Sequence, residues 1–342
     1  MKILLTALLA AYALPSVAGE PAGIHFMHGD WEVACDNTRT CRAAGYHADG
    51  DDNTLTVSVL LERPAGPRQP VAARLKIGHY DAEASPPKGG KVAMAVDGRA
   101  LGTVKIDGDT RTGTLSAAQA QALVAAVSGT GTVQWSDGQR TWALSGSGAT
   151  AVLLKMDEFQ GRLGTTGALL RKGGKGEDGV AAPLPMPEVS PASAGSTEVA
   201  LPPAARTALL RELRGTLGEG DCEALAPDQL EAVRLTTDRL LVHARCWLGA
   251  YNEGTGYWVA NKAAPFKPEL VTTSGSDYTA GTITSAQKGR GLGDCWASEE
   301  WVWDGRRFAR TKEATSGMCK LVEAGGAWDL PTYVAKVTRG LR

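Results

Sequence analysis

Six cysteines offer the first chemistry in this sequence: Cys35, Cys41, Cys222, Cys246, Cys295 and Cys319. A cysteine can serve as a nucleophile, a metal ligand or half of a disulfide. The chain has no Cys-x2-Cys, and no histidine stands at ligand spacing from any cysteine, so zinc is a poor fit. The spacing from Cys222 to Cys246 repeats from Cys295 to Cys319, each time after a Gly-Asp pair. Cys35 and Cys41 enclose a short polar loop and are expected to pair. The other four are expected to pair as Cys222–Cys246 and Cys295–Cys319. Six cysteines allow many connectivities, and a bridge between the two C-terminal units, such as Cys246 to Cys295, is the rival. With all six oxidised, no thiolate is left to act.

The remaining reactive groups form no catalytic set. Asp157-Glu158 and Glu299-Glu300 are adjacent carboxylates. Glycosidase carboxylates must face each other across a substrate, whereas chain neighbours usually diverge. His243 lies in an apolar stretch, where an ordinary sheet histidine is expected. His25, Met27 and His28 are soft-metal ligand types with no third partner in view, and read as residues of an edge segment. Asp49, Asp51 and Asn53 imitate the start of a calcium loop. Its sixth and twelfth positions, however, hold Thr54 and Leu60 where glycine and glutamate are needed, so a solvated turn is expected. The nucleophile elbow, a Ser-x-x-Lys followed by a Lys-Thr-Gly box, and His-Glu-x-x-His are missing, as is a glycine-rich phosphate fingerprint between a strand and a helix of the first domain. No catalytic residue, metal ligand set or cofactor is therefore expected.

The aromatic residues carry more weight. Six of the nine tryptophans lie from Trp247 onward. Trp247, Tyr251, Asn252, Tyr257, Trp258, Trp296, Trp301 and Trp303 form a candidate surface for sugar rings or for a partner protein. The plainer expectation puts most of these aromatics in a core. Tyr251, Asn252, Tyr257 and Trp296, read as turn residues, are expected to escape it.

The elements that would position these groups are mostly strands. Gly29 to Cys35, ending at the small disulfide loop, reads as a first strand, and Leu55 to Leu61 and Val71 to Ile77 are further strands. Asp97-Gly98, Asp137-Gly138 and Asp304-Gly305 each join two strand-like runs, as hairpin turns do. Helices are expected over Ala117–Val127, capped by Ser116, over Ala149–Leu163, and over Ala204–Arg214. A short one starts near Pro227. Strands follow over Leu240–Trp247 and Tyr257–Ala260, with Asn252–Gly256 as the turn between them. The order of strands and hairpins argues against a parallel nucleotide-binding sheet.

Proline recurs at 183, 185, 187, 191, 202 and 203, after a glycine-rich start at 173–176, and this marks a semi-extended linker. The expected organisation is a signal peptide over 1–18, a β-rich domain over 19–172, a linker over 173–202 and a β-rich domain over 203–342. The fold class is α+β, mainly antiparallel β: two disulfide-stapled domains, each with one or two helices.

The first residues read as a secretory signal. Lys2 supplies the charge, Ile3 to Leu14 the apolar run, and Ser16-Val17-Ala18 the cleavage site. No later stretch approaches the roughly 20 apolar residues of a spanning helix. A periplasmic or secreted product, cut near Ala18, is expected, in a compartment that favours disulfides. Thirty-six basic and 37 acidic residues remove any electrostatic argument for nucleic acid.

Gly29-Asp30-Trp31-Glu32-Val33-Ala34-Cys35-Asp36, Gln160-Gly161-Arg162, the run from Cys246 to Asn252, Gly293-Asp294-Cys295 and Trp301 to Gly305 resemble the domain-of-unknown-function 1176 family of bacterial proteins. The resemblance spans nearly the whole mature chain and implies a secreted six-cysteine protein. The first domain also looks, more weakly, like the invasion-associated locus B family. Neither resemblance transfers an activity. The expected function is binding: a periplasmic protein recognising an envelope protein or a cell-wall glycan, in an inhibitory or protective role. An envelope hydrolase with a site between the domains, and a purely structural envelope protein, are the alternatives.

Overall fold

In this computed structural model, residues 23–50, 55–78 and 90–338 are described. The expected signal peptide, and Asp51 and Asn53 of the calcium-like turn, lie outside the described residues. The first half runs β1 (Ile24–His28), β2 (Trp31–Cys35), β3 (Cys41–Tyr46), β4 (Val57–Arg63), β5 (Ala72–Ile77), β6 (Gly90–Val96), β7 (Arg99–Ile106), β8 (Thr112–Thr114), α1 (Ala117–Val127), β9 (Val133–Ser136), β10 (Thr141–Leu144) and α2 (Ala149–Phe159). The second half runs β11 (Glu188–Val189), α3 (Pro203–Arg214), β12 (Glu231–Arg234), β13 (Arg239–Leu248), β14 (Glu253–Asn261), β15 (Glu269–Gly275), β16 (Asp277–Thr279), β17 (Thr282–Lys288), β18 (Trp296–Trp303), β19 (Phe308–Thr315), β20 (Leu330–Val334) and β21 (Lys336–Val337). The architecture is α+β and mainly antiparallel β, as the hairpin signals predict.

A six-stranded sheet, in the order β1-β2-β3-β4-β5-β8, organises the first half. Strand β2 is buried at every position, so its inward–outward alternation serves two cores instead of a core and solvent. Trp31, Val33 and Cys35 face the helices and the second sheet, β10-β9-β6-β7. Ala34 faces the opposite way, with Ala44, Tyr46 and Leu60, and is covered by Val322, Ala327, Trp328 and Leu330. The C-terminal stretch thus returns to roof the N-terminal sheet. Helix α1 begins at Ser116 with a reciprocal capping box to Gln119. Helix α2 stops at Phe159 instead of running to Leu163, because the chain turns through Gly161 at φ +68° and Arg162 donates its backbone N–H to Asp157 O.

The proline-rich stretch at 173–202 lies along both halves. Glu177 and Val180 are buried. Gly66 donates to Ala181 O, Leu184 to Thr38 O, Ala192 to Trp303 O and Gly195 to Leu235 O. Strand β11 pairs in parallel with β21. Extended backbone suits this role, because proline removes few of the donors that the neighbouring strands satisfy.

Two sheets face each other in the second half: β12-β13-β14-β15 and β16-β17-β18-β19-β20. Leu240, Val242 and Ala244 of β13 point toward α3, and Leu241 points toward the second sheet. In β14, Trp258 and Ala260 share the first direction, while Tyr257 and Val259 share the second. Strand β14 begins at Glu253, so the turn lies at 249–252 and not at Asn252–Gly256. Gly249 closes it by donating to Asn252 O. Strands β16 and β17 are separated where Ala280 and Gly281 take positive φ.

The disulfides pair Cys35–Cys41, Cys222–Cys246 and Cys295–Cys319. The rival bridge between the two C-terminal units does not form.

Candidate functional site

The facing sheets leave an open groove of about 1100 Å³ between them. Its first wall is the run Leu270 to Ser274 of β15, the edge strand of its sheet, which pairs on one side with β14. Its second wall is β18 and β19, through Glu299, Trp301, Phe308 and Arg310, together with the turn from Asp304 to Arg307. Pro187 to Ser190 of the proline-rich stretch also line it. Past the turn, the groove opens into a cleft of about 660 Å³ that adds Arg239 and Glu269. At its other end, Asp221, Thr273 and Ser274 lead to a hollow beside the Cys222–Cys246 bridge.

The turn is a rigid mount. Asp304 Oδ1 accepts the backbone N–H groups of both Arg306 and Arg307, at 2.8 Å each, and Gly305 sits at φ +98°. Both arginine side chains are exposed. Most other charged side chains along the groove have partners. Arg310 pairs with Glu313 and lies 4.5 Å from the Tyr333 ring centre. Glu188 pairs with Lys336, and Asp221 accepts from Gly218 N–H. The Glu299 carboxyl is held above its usual range by burial and by Glu313 across the strand, against the pull of Arg310.

The adjacent carboxylates separate as strand geometry requires. Glu299 and Trp301 line the groove, whereas Glu300 accepts from Thr311 Oγ1 at 2.7 Å. Asp157 is buried and accepts two backbone N–H groups, from Leu169 and Leu170, while Glu158 pairs with Lys155 at the surface. Neither pair flanks a common space.

The candidate aromatic surface divides. Tyr257, Trp258, Trp301 and Trp303 are core residues at 7% exposure or less, so they offer no platform to a ligand. Tyr257 was expected at a turn. It instead sits within β14, and burial pushes its hydroxyl pKa up to about 12. Trp247 is half-buried and donates to Thr273 O. Trp296 is half-buried and donates to Gly293 O, with the Lys288 ammonium 5.4 Å from its ring centre. Tyr251 is exposed. Asn252 clamps the neighbouring turn, exchanging hydrogen bonds with Lys288 N–H and C=O.

His25 and His243 also find protein partners. His25 Nε2 lies 2.8 Å from Glu32 Oε2, and His243 lies 3.6 Å from Glu231 and stacks at a tilt on Tyr257. Asp49 pairs with Lys320, which holds its carboxyl below the usual range. Among the described residues, Asp294, Cys295 and Cys319 alone gather as metal-ligand types, and the two sulfurs are bonded to each other.

Sequence reasoning missed Arg306 and Arg307 as site residues and treated them only as part of a hairpin. Two arginines directly after an Asp-Gly turn were the available signal. The edge position of β15 has no local signal, because it depends on which strand pairs elsewhere.

Residues 25–335 match the family described as protein of unknown function (DUF1176). The chain is similar to Uncharacterized protein YpfG of Escherichia coli (strain K12), 27% identical over 338 residues that cover 87% of this chain and 90% of that protein. No solved structure matches it.

Proposed function

The chain belongs to the DUF1176 family, and we propose that it is an extracytoplasmic binding protein whose groove receives an extended polypeptide segment of an envelope protein. The carrying observation is the edge strand β15 exposed along an open groove. An edge strand lacks a partner strand on one side; the Thr273 and Ser274 carbonyls of β15 already accept side-chain donors, so an extended peptide can add as a further strand alongside Leu270 to Thr272. A glycan is the weaker occupant. Sugar rings need an accessible aromatic face, and the groove's Trp301, Phe308 and Tyr333 are buried to 7% exposure or less.

Export is part of the proposal. The leader-like start and three disulfides support a periplasmic or secreted product cleaved after Ala18. N-terminal sequencing of the protein from a periplasmic fraction should begin at Gly19.

The binding reading is tested by placing a photo-crosslinking amino acid at Ala309, in the groove, and at Thr103, on the exposed face of β7. A protease-sensitive adduct at Ala309 and none at Thr103 is expected. Retention on purified peptidoglycan with no polypeptide adduct would overturn it.

A further inference from the structure

We infer that the polypeptide in the groove presents an acidic side chain to the Arg306–Arg307 turn, so that the partner is an extended acidic segment and not a neutral one. This rests on the polypeptide reading above and narrows it.

The argument begins with the mount. A side chain held only by its own flexible stem loses much rotamer freedom on binding. The Asp304 carboxylate already fixes the backbone of both arginines, so binding has only their side chains to order. Both arginines line the groove and its adjoining cleft.

Charge bookkeeping points the same way. Among the described residues, Arg306 and Arg307 make no ion pair, while Arg310, Arg239 and Glu188 nearby are each matched within the fold. The same lining also holds Asp221, Asp238, Glu299 and Asp304, so the mismatch is local to the turn, where a carboxylate on the bound segment would pair with the two arginines. Guanidinium groups present a planar fork of donors that fits a carboxylate through two parallel bonds. Glu299 does not fill that role, since Arg310 is the cation acting on it and burial works against its charge. The edge strand supplies sequence-independent backbone bonds. The arginine turn supplies the one position at which the side chain is read.

The test pans the oxidised full-length protein, after export, against a phage-displayed library of random linear peptides. Enriched peptides are synthesised and titrated against the wild type, Arg306→Gln/Arg307→Gln and Ala309→Trp, the last filling the groove. The expected result is enrichment of Asp or Glu at one position, with affinity falling about tenfold or more when that residue is made Asn or Gln. The arginine double variant should show a similar loss. In the double variant, the acid-to-amide change should then cost little more. Peptides that lose binding with Ala309→Trp but show no acidic preference and no response to the arginine variant would overturn this inference and leave the polypeptide reading standing. Peptides that fail to enrich, or that bind Ala309→Trp as well as wild type, would overturn both. Circular dichroism of each variant confirms the fold, which surface arginines do not support.

Discussion

Replacing Glu32 tests the joint at which the C-terminal stretch roofs the N-terminal sheet. Glu32 is fully buried on the face of β2 that looks toward residues 318–330. Its Oε1 accepts from Tyr46 Oη and from Met318 N–H, both at 2.6 Å, and His25 Nε2 lies 2.8 Å from Oε2. Glu32→Ala strands the buried Tyr46 hydroxyl and leaves Met318 N–H only its longer bond to Tyr46 Oη at 3.1 Å; at about 1–3 kcal/mol for a stranded donor, the total is about 3 kcal/mol. Part of the His25 side chain reaches solvent, so it can turn to water and adds little. Glu32→Gln keeps an oxygen for both donors and loses only the charge assistance, about 1.5 kcal/mol. With a urea slope of about 3 kcal/mol/M, the unfolding midpoint should fall by about 1 M for alanine and about 0.5 M for glutamine. Tyr46→Phe removes one stranded donor, so the Glu32→Ala/Tyr46→Phe double variant should lose less than the sum of its parts. An alanine variant within about 0.3 M of wild type, or a glutamine variant as damaged as alanine, would refute the reasoning.

Two further outcomes follow from the same structure. In the loop-entropy account, Cys222–Cys246 and Cys295–Cys319, each spanning 24 residues, should contribute about 3.5 kcal/mol apiece, against about 2.3 kcal/mol for Cys35–Cys41, which spans 6. Urea unfolding of the three paired Cys→Ser variants gives this ranking, and a larger loss from the short loop would contradict it. Glu299→Gln should raise the melting temperature at pH 7. The folded-state pKa of Glu299 lies above its unfolded value, so its charged form disfavours folding once pH exceeds that raised pKa. The gain should fade as pH falls through that pKa, and thermal melts across the acid range would expose a gain of the opposite sign.

Local patterns in this chain were readable where one residue sets its own geometry. Ser116 followed by Gln119 fixes the start of α1 within a residue. Asp97-Gly98 places a hairpin turn because Gly98 takes φ +74° at no steric cost. The two long disulfides were readable because each closes within one continuous stretch, as equal spacing suggests. Tyr257 shows the limit of this approach. Glycines on both sides of Thr255 suggested a turn, yet Gly254 and Gly256 are glycines because Trp247, Trp258 and Cys246 pack where a Cβ would sit. A close approach and a turn both require glycine, and only packing distinguishes them.

Class and staples were therefore set by residues acting on their near neighbours: β-branching, turn glycines and paired cysteines. The tertiary structure decided which face of β2 each side chain serves, that residues 318–330 roof a sheet formed almost 300 residues earlier, and that β15 ends as an edge. It also decided that the tryptophans at 258, 301 and 303 fill cores while two arginines beside them line a groove. These outcomes depend on which surfaces meet after the chain closes on itself. Burial and pairing belong to pairs of distant segments, and no window of neighbouring residues contains both members of such a pair.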